Sequence, residues 1–284
     1  MAEIHTARIR GIYRSRRHPN LWVVDKENGG KADSLNAGLS FCRTSLFCAL
    51  DADSLIEREA LVRVARLFLE DGTTVAAGGM IRIVNGCTIR AGMVADIRLP
   101  ENYLARFQVL EYLRAFLAGR MGWSVLNATF VISGAFGVFR RSTVVDAGGF
   151  AVDTVGEDME LVVRLHRYCR ENKIPYRIAY VPDPVAWTEC PESTKVLGRQ
   201  RDRWQRGLME TMWRHKRMLL NPQYGIIGLL VYPYFFFLEM LGPIIELMGY
   251  ISFLIVLFLG SPEMIYIVAF LLVAFVLGVA LSLA

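Results

Sequence analysis

The segment LFCALDADSL, residues 46–55, ends an apolar run in two carboxylates, Asp51 and Asp53, one alanine apart. In an extended turn, residues two apart point the same way. Two convergent carboxylates suit a hard divalent cation such as Mg²⁺ or Mn²⁺. Acids at a helix start also complement the helix dipole, and the pair alone does not separate the two readings. A second acidic pair, Glu157 and Asp158, stands in VGEDMEL. Read alone, Asp158 is more simply a helix-start acid than a general base at the mouth of a cleft. Gln200, Arg203 and Trp204 in QRDRW fall on one helical face. An arginine fork suits a diphosphate, and an indole can stack on a sugar ring. A basic helix lying on a membrane, with tryptophan as its anchor, explains the arginine and tryptophan but not the glutamine. Lys31 follows a Gly-Gly turn in GGKADSLNAG, with Asn36 nearby. It reads alone as part of a loop and a capped helix, and otherwise as a phosphate contact.

The elements that must hold these residues follow from pattern. Leu21–Val24, LFCAL and TVAAGGMIRIV read as strands, the latter two as continuous apolar runs of the kind covered on both faces. Helices are predicted over KADSLNAGLSFC and from a Ser54–Glu57 capping box to Glu70, with Leu61, Val64, Leu67 and Phe68 on one face. A further helix is predicted over Ala105–Gly119. FVISGAFGVFRRSTVVDAGGF reads as strand, turn and strand. GEDMELVVRLHRYCRENK opens a helix at its acids, and YRIAYVPDPVAW is a strand ended by prolines. Strands alternating with helices predict an α/β sheet.

The chain has 284 residues and a net charge of +5. Basic residues concentrate between Arg199 and Arg217. From Gly225 to Ala284 the ionisable groups are Glu239, Glu246, Glu263 and the tyrosines. That apolar stretch predicts membrane spans of roughly 20 residues each, one broken by Pro233 and Pro243, and a second over Met264–Ala284. Basic residues beside a span place the preceding domain in the cytoplasm. The expected organisation is a cytosolic domain over 1–195, a basic amphipathic interfacial region over 196–222, and a membrane domain of about two spans over 225–284. Glu239 and Glu246 read either as lining a polar path through the membrane or as bundle-facing glutamates. The five cysteines lack metal-ligand spacing and predict no disulfides. The basic cluster carries no nucleic-acid-binding motif.

The order of the motifs is more specific than any one of them. D-x-D, then E-D, then Q-x-x-R-W just before apolar helices resembles the processive, membrane-embedded family 2 glycosyltransferases. That group includes cellulose, chitin, hyaluronan and poly-N-acetylglucosamine synthases. KADSLNAG and SGAFGVFRR resemble further segments of that family, and the resemblance runs from about Val23 to Leu259. It implies a Rossmann-like glycosyltransferase A-type domain and an inverting transfer from a nucleotide diphosphate sugar, UDP-N-acetylglucosamine by nearest likeness. The acceptor would be a growing polysaccharide, or a lipid in a single-transfer variant, at the plasma membrane. By the same resemblance, Asp51 and Asp53 hold Mg²⁺ or Mn²⁺, and Lys31 and Arg203 bind the donor diphosphate. Asp158 is the base, and Ser133, Gly134, Glu157, Gln200 and Trp204 meet the acceptor. The family also begins with a strand and an aspartate cluster that this sequence does not show, so its first βαβ unit is expected upstream or on a partner subunit. A chain lacking that unit altogether would be an inactive fragment or assembly subunit.

Overall fold

Thr74–Ile83 is almost wholly buried, and the domain is built around it. In the computed structural model, which describes residues 4–259 and positions 267, 268 and 272, nine strands occur among the described residues. They are β1 (Ile9–Arg14), β2 (Trp22–Lys26), β3 (Leu46–Leu50), β4 (Leu55–Ile56), β5 (Thr74–Ile83), β6 (Thr88–Arg90), β7 (Met93–Asp96), β8 (Phe136–Arg140) and β9 (Arg177–Thr188). The α-helices are α1 (Gly30–Phe41), α2 (Ala60–Glu70), α3 (Tyr103–Leu113), α4 (Met121–Val125), α5 (Arg141–Asp146), α6 (Glu157–Glu171), α7 (Thr194–Arg214) and α8 (Gly242–Leu259).

Five strands form the main sheet in the order β3-β8-β5-β9-β4. β9 runs parallel to β5, whereas β8 is antiparallel to both β3 and β5, so the sheet is mixed. β3, β5 and β9 therefore point the same way, and their carboxyl ends define one edge, where ligands bind in open α/β sheets. Two apolar layers cover the sheet. Leu39, Val144, Val145, Leu161 and Leu165 close one face from α1, α5 and α6. Ala60, Val64, Phe68 and Phe116 close the other. β1 and β2 form a separate hairpin.

Several sequence expectations are corrected here. The Ser54–Glu57 capping box does not form: α2 begins at Ala60, after Glu59. Ser54 closes a turn through its N–H to the Asp51 carbonyl at 3.2 Å, and Glu57 accepts from Trp187 Nε1 at 2.6 Å. Leu61 is exposed rather than facing the core. The second half of FVISGAFGVFRRSTVVDAGGF is the helix α5, not a strand. β9 is not ended by its prolines. It passes through Pro182 and Pro184 to Thr188, and the ladder to β5 shifts register between Gly79 and Met80 to absorb them. The helix expected over Ala105–Gly119 starts at Tyr103 and turns π-helical over Arg114–Arg120.

After α7 the chain forms π-helical segments over Ile227–Val231 and Tyr234–Met240 before α8. Ile227, Val231 and Tyr232 pack with Met159, Val163 and Met212 of α6 and α7, so this part of the apolar tail belongs to the domain's own core. No single helix among the described residues is long and apolar enough to cross a membrane. Ile227–Met240 and Gly242–Ile255, bent by 42° at their junction, pass that test only together. The second span expected over Met264–Ala284 lies outside the described residues apart from isolated positions.

α7 is brought against the start of α6 by two glycines. A Cβ on Gly207 would sit 2.9 Å from Gly156 Cα and 3.1 Å from its nitrogen, both backbone atoms that cannot turn aside. Gly207→Ala gains helix propensity of up to about 1 kcal/mol, but forced backbone separation costs about 1–3 kcal/mol. The expected result is a lower thermal midpoint and a displaced α7, read by melting and by protease sensitivity of the 153–157 loop. A variant as stable as the wild type would show that the close approach is not required.

Candidate active site

The carboxyl end of β3 delivers Asp51 to the sheet edge, half-buried. Lys31, in the first turn of α1, puts its Nζ 2.6 Å from Asp51 Oδ1 and 3.1 Å from Glu157 Oε1. One ammonium thus bridges an acid at a strand's end and an acid at a helix's start. Burial works against the Lys31 charge, but its bonds to Asp51 and Glu157 outweigh that and hold its pKa above the ordinary lysine value.

Asp158 is the next residue along α6. Its Oδ2 accepts the Gly134 N–H at 3.0 Å and its Oδ1 accepts the Met159 N–H at 2.8 Å. A side chain at Gly134 would push against the end of Lys31. A Cβ would stand 2.7 Å from Lys31 Nζ and 3.3 Å from Asp158 Oδ2. Lys31, Asp51, Gly134, Glu157 and Asp158 are therefore one cluster. Ser133 lies beside it, half-buried, its Oγ at 3.4 Å from the Ala135 N–H.

Asp53 is not drawn into that cluster. The Asp51–Ser54 segment is a tight turn rather than an extended one, and Asp53 is exposed. The assumption that both carboxylates converge through extended geometry is corrected accordingly. Among the described residues no three His, Cys, Asp or Glu side chains form a metal-holding group. A Mg²⁺-type site still fits the donor set, because that ion takes one or two carboxylates and completes its shell with water and substrate phosphates. Asp51 already holds a cation, the Lys31 ammonium, at contact distance.

α7 carries the remaining motif residues. Arg203 is exposed and makes no hydrogen bond or ion pair with any described residue, and Trp204 is 41% exposed. Gln200 has a buried Oε1 without a hydrogen-bond donor. Arg201, next to Gln200, takes the structural work. Arg201 donates to both carboxylate oxygens of Glu111 on α3, one at 2.6 Å, and lies 4.6 Å over the Trp204 ring. That pair links residues ninety positions apart, so no local spacing announced it. Asn36 is structural: its amide exchanges hydrogen bonds with the backbone N–H and C=O of Phe150 at 2.7 and 2.8 Å.

The family model described as Glycosyl transferase family group 2 matches residues 46–281. The chain belongs to that family. As a family 2 glycosyltransferase chain it is 30% identical over 204 residues to the poly-beta-1,6-N-acetyl-D-glucosamine synthase of Staphylococcus aureus (strain COL), covering 72% of this chain and 45% of the relative. The Staphylococcus epidermidis protein of the same name is 29% identical over the same extent. The chain therefore spans about half the length of the curated relatives it matches. Among solved structures, the mannosyltransferase PcManGT from Pyrobaculum calidifontis, in complex with GDP-Man and Mn²⁺, aligns over 92% of this chain and 62% of its own. It does so with a TM-score of 0.51 and 19% identity, a likeness of fold.

Proposed function

We propose that this chain is the catalytic part of an inverting glycosyltransferase at the cytoplasmic face of the plasma membrane. It moves a sugar from a nucleotide diphosphate, UDP-N-acetylglucosamine in the first instance, onto a growing polysaccharide. The observation that carries the reading is the Lys31–Asp51–Glu157 bridge beside Asp158, in a chain of this family. It sets a cation and acids for a diphosphate within one cluster of a carboxylate held for proton abstraction.

The chemistry needs those groups together. A sugar hydroxyl is a poor nucleophile, and Asp158 takes its proton as it attacks C1. The two backbone N–H groups on Asp158 fix the carboxylate's direction. The leaving diphosphate gains charge, which Lys31 and Arg203 offset. Asp51 would hold a Mg²⁺ or Mn²⁺, with water and the donor phosphates completing its shell, and the ion would supply further neutralisation. A single displacement inverts the anomeric centre, with an oxocarbenium-like transition state as in glycoside hydrolysis. Gly134, Ser133, Glu157, Gln200 and Trp204 surround the acceptor in this reading. The membrane location rests on the basic stretch before the apolar tail and on the relatives' polymer product, and a lipid bilayer would be the chain's third partner after donor and acceptor.

The test uses membranes containing the full-length polypeptide, radiolabelled UDP-N-acetylglucosamine and a gel that resolves product length. Metal-dependent UDP release with long product is expected, and short lipid-linked product would select single transfer instead. Chelation with EDTA abolishes release and added Mn²⁺ restores it. Asp51→Asn raises the metal concentration needed by at least about tenfold, or about 1.4 kcal/mol. An unchanged metal requirement in Asp51→Asn and Asp53→Asn would remove both from the metal site.

A further inference from the structure

The loop that leads into Asp158 is held to α7 residue by residue. Arg214 pairs with Asp153 at 2.7 Å. Glu210 Oε2 accepts from the Thr154 hydroxyl at 2.9 Å and from the Val155 N–H at 3.0 Å. Gly207 meets Gly156 backbone to backbone. The Thr154 hydroxyl also accepts the Gly156 N–H at 3.2 Å. Through that one hydroxyl the Glu210 carboxylate reaches the residue that precedes Glu157 and Asp158. Its other oxygen, Oε1, accepts from Arg206 at 2.8 Å, an arginine 67% exposed. The bond from Arg206 first, and then those from Val155 and Thr154, hold the Glu210 carboxyl below its ordinary value.

Gly207, Glu210 and Arg214 are spaced by three and four residues, so they share one face of α7. The same spacing run back from Gly207 meets Arg203 and then Gln200. One stripe of the helix therefore carries two of the motif residues at its start and the anchors of the loop farther along. As the loop rises from 153 to 156, its anchors descend from 214 to 207, toward Arg203. We propose that Glu210 is a positioning residue for the transfer. It meets no substrate, and by fixing Thr154–Gly156 against α7 it sets the Asp158 carboxylate in register with Gln200 and Arg203. This rests on the glycosyl-transfer reading above and adds to it a residue that acts through Asp158.

The test measures kcat, and KM for UDP-N-acetylglucosamine, in membranes of the full-length polypeptide. A misplaced catalytic group costs up to about 100-fold, so Glu210→Ala lowers kcat by about 10- to 100-fold and leaves KM within about twofold. Thr154→Val, which loses one of the two bonds to Glu210, lowers kcat by about 2- to 10-fold. Glu210→Gln keeps an oxygen that accepts both bonds and recovers most of the rate. Arg206→Met removes an exposed pair and leaves the rate unchanged. The deciding arm repeats Glu210→Ala and Thr154→Val in the Asp158→Asn background. A residue that acts through Asp158 has nothing left to position there, so the loss vanishes, whereas a purely structural residue costs the same factor in both backgrounds. Equal losses in the two backgrounds, Glu210→Gln as slow as Glu210→Ala, or an unchanged kcat in Glu210→Ala overturns the proposal. If the wild type releases no UDP, the transfer reading fails, and the placement of Asp158 is then read directly from the Gly134 N–H that it accepts. Faster deuterium exchange of that amide in Glu210→Ala than in wild type and Arg206→Met supports the inference, and equal exchange in all three overturns it.

Discussion

Asp158→Asn lowers sugar transfer by about 10²- to 10⁴-fold, the contribution of a positioned general base, while the protein folds and binds UDP-N-acetylglucosamine. The alternative is that Asp158 only complements the start of α6. That role is worth about 0.3–1 kcal/mol of stability, and losing it leaves the rate nearly intact. The base role is worth about 3–5.5 kcal/mol of barrier. The two readings therefore differ in which quantity moves as well as in size. Asparagine keeps the volume and one acceptor oxygen, enough for either the Gly134 or the Met159 N–H but not both. A small loss of stability is expected under either reading. Transfer in Asp158→Asn membranes at half the wild-type rate or better, with expression matched, would sink the assignment of the base. Hydrolysis of the donor by water should fall in parallel, because the same carboxylate would activate water.

The positions of the candidate site residues were legible where their elements meet at one edge of the sheet. Asp51 follows a continuous apolar strand, Lys31 follows a glycine turn before a helix, and Asp158 opens a helix after a glycine-rich loop. Each sits at an element boundary, and such boundaries gather at one edge of an α/β sheet. The direction of β8 was not legible. RSTVVD has β-branched residues that favour a strand, yet Val144 and Val145 bury fully only as one face of a short helix over β8. The Ser54–Glu57 spacing suggested a cap that does not form: α2 starts later, at Ala60, Ser54 Oγ has no hydrogen-bond partner, and Glu57 accepts from the Trp187 indole. Arg201 with Glu111 was invisible for a different reason. The two residues lie ninety positions apart, and no local spacing relates them.

Glu160→Gln is expected to destabilise the domain by about 3–5 kcal/mol, because it removes a buried charge and leaves Arg164, 19% exposed, without its counter-charge. Glu160 is 1% exposed and lies two residues past Asp158. Both its oxygens accept from Arg164, at 2.9–3.2 Å, and Oε1 also lies 3.1 Å from His215 Nε2 at the end of α7. Arg164 in turn donates to the carbonyls of Ala147 and Gly149 after α5. One carboxylate therefore ties three elements behind the site. Exposed pairs such as Arg66–Glu70 contribute only about 0–1 kcal/mol, so Glu70→Gln is the matched control. A loss below about 1 kcal/mol in Glu160→Gln, against stabilities of about 5–15 kcal/mol for domains, would show that the network is not a structural anchor. The pH dependence adds an independent check. Burial pushes the Glu160 carboxyl up, but His215 and Arg164 outweigh it and hold it below the ordinary value. A depressed carboxylate contributes its full stability above its unfolded-state pKa and loses it as pH falls through the lower folded-state value. Wild-type thermal midpoints should therefore decline on acidification through that window, and in Glu160→Gln this part of the decline should be missing. A variant whose acid sensitivity equals the wild type's would place the responsible carboxylate elsewhere, even if the variant were less stable at neutral pH.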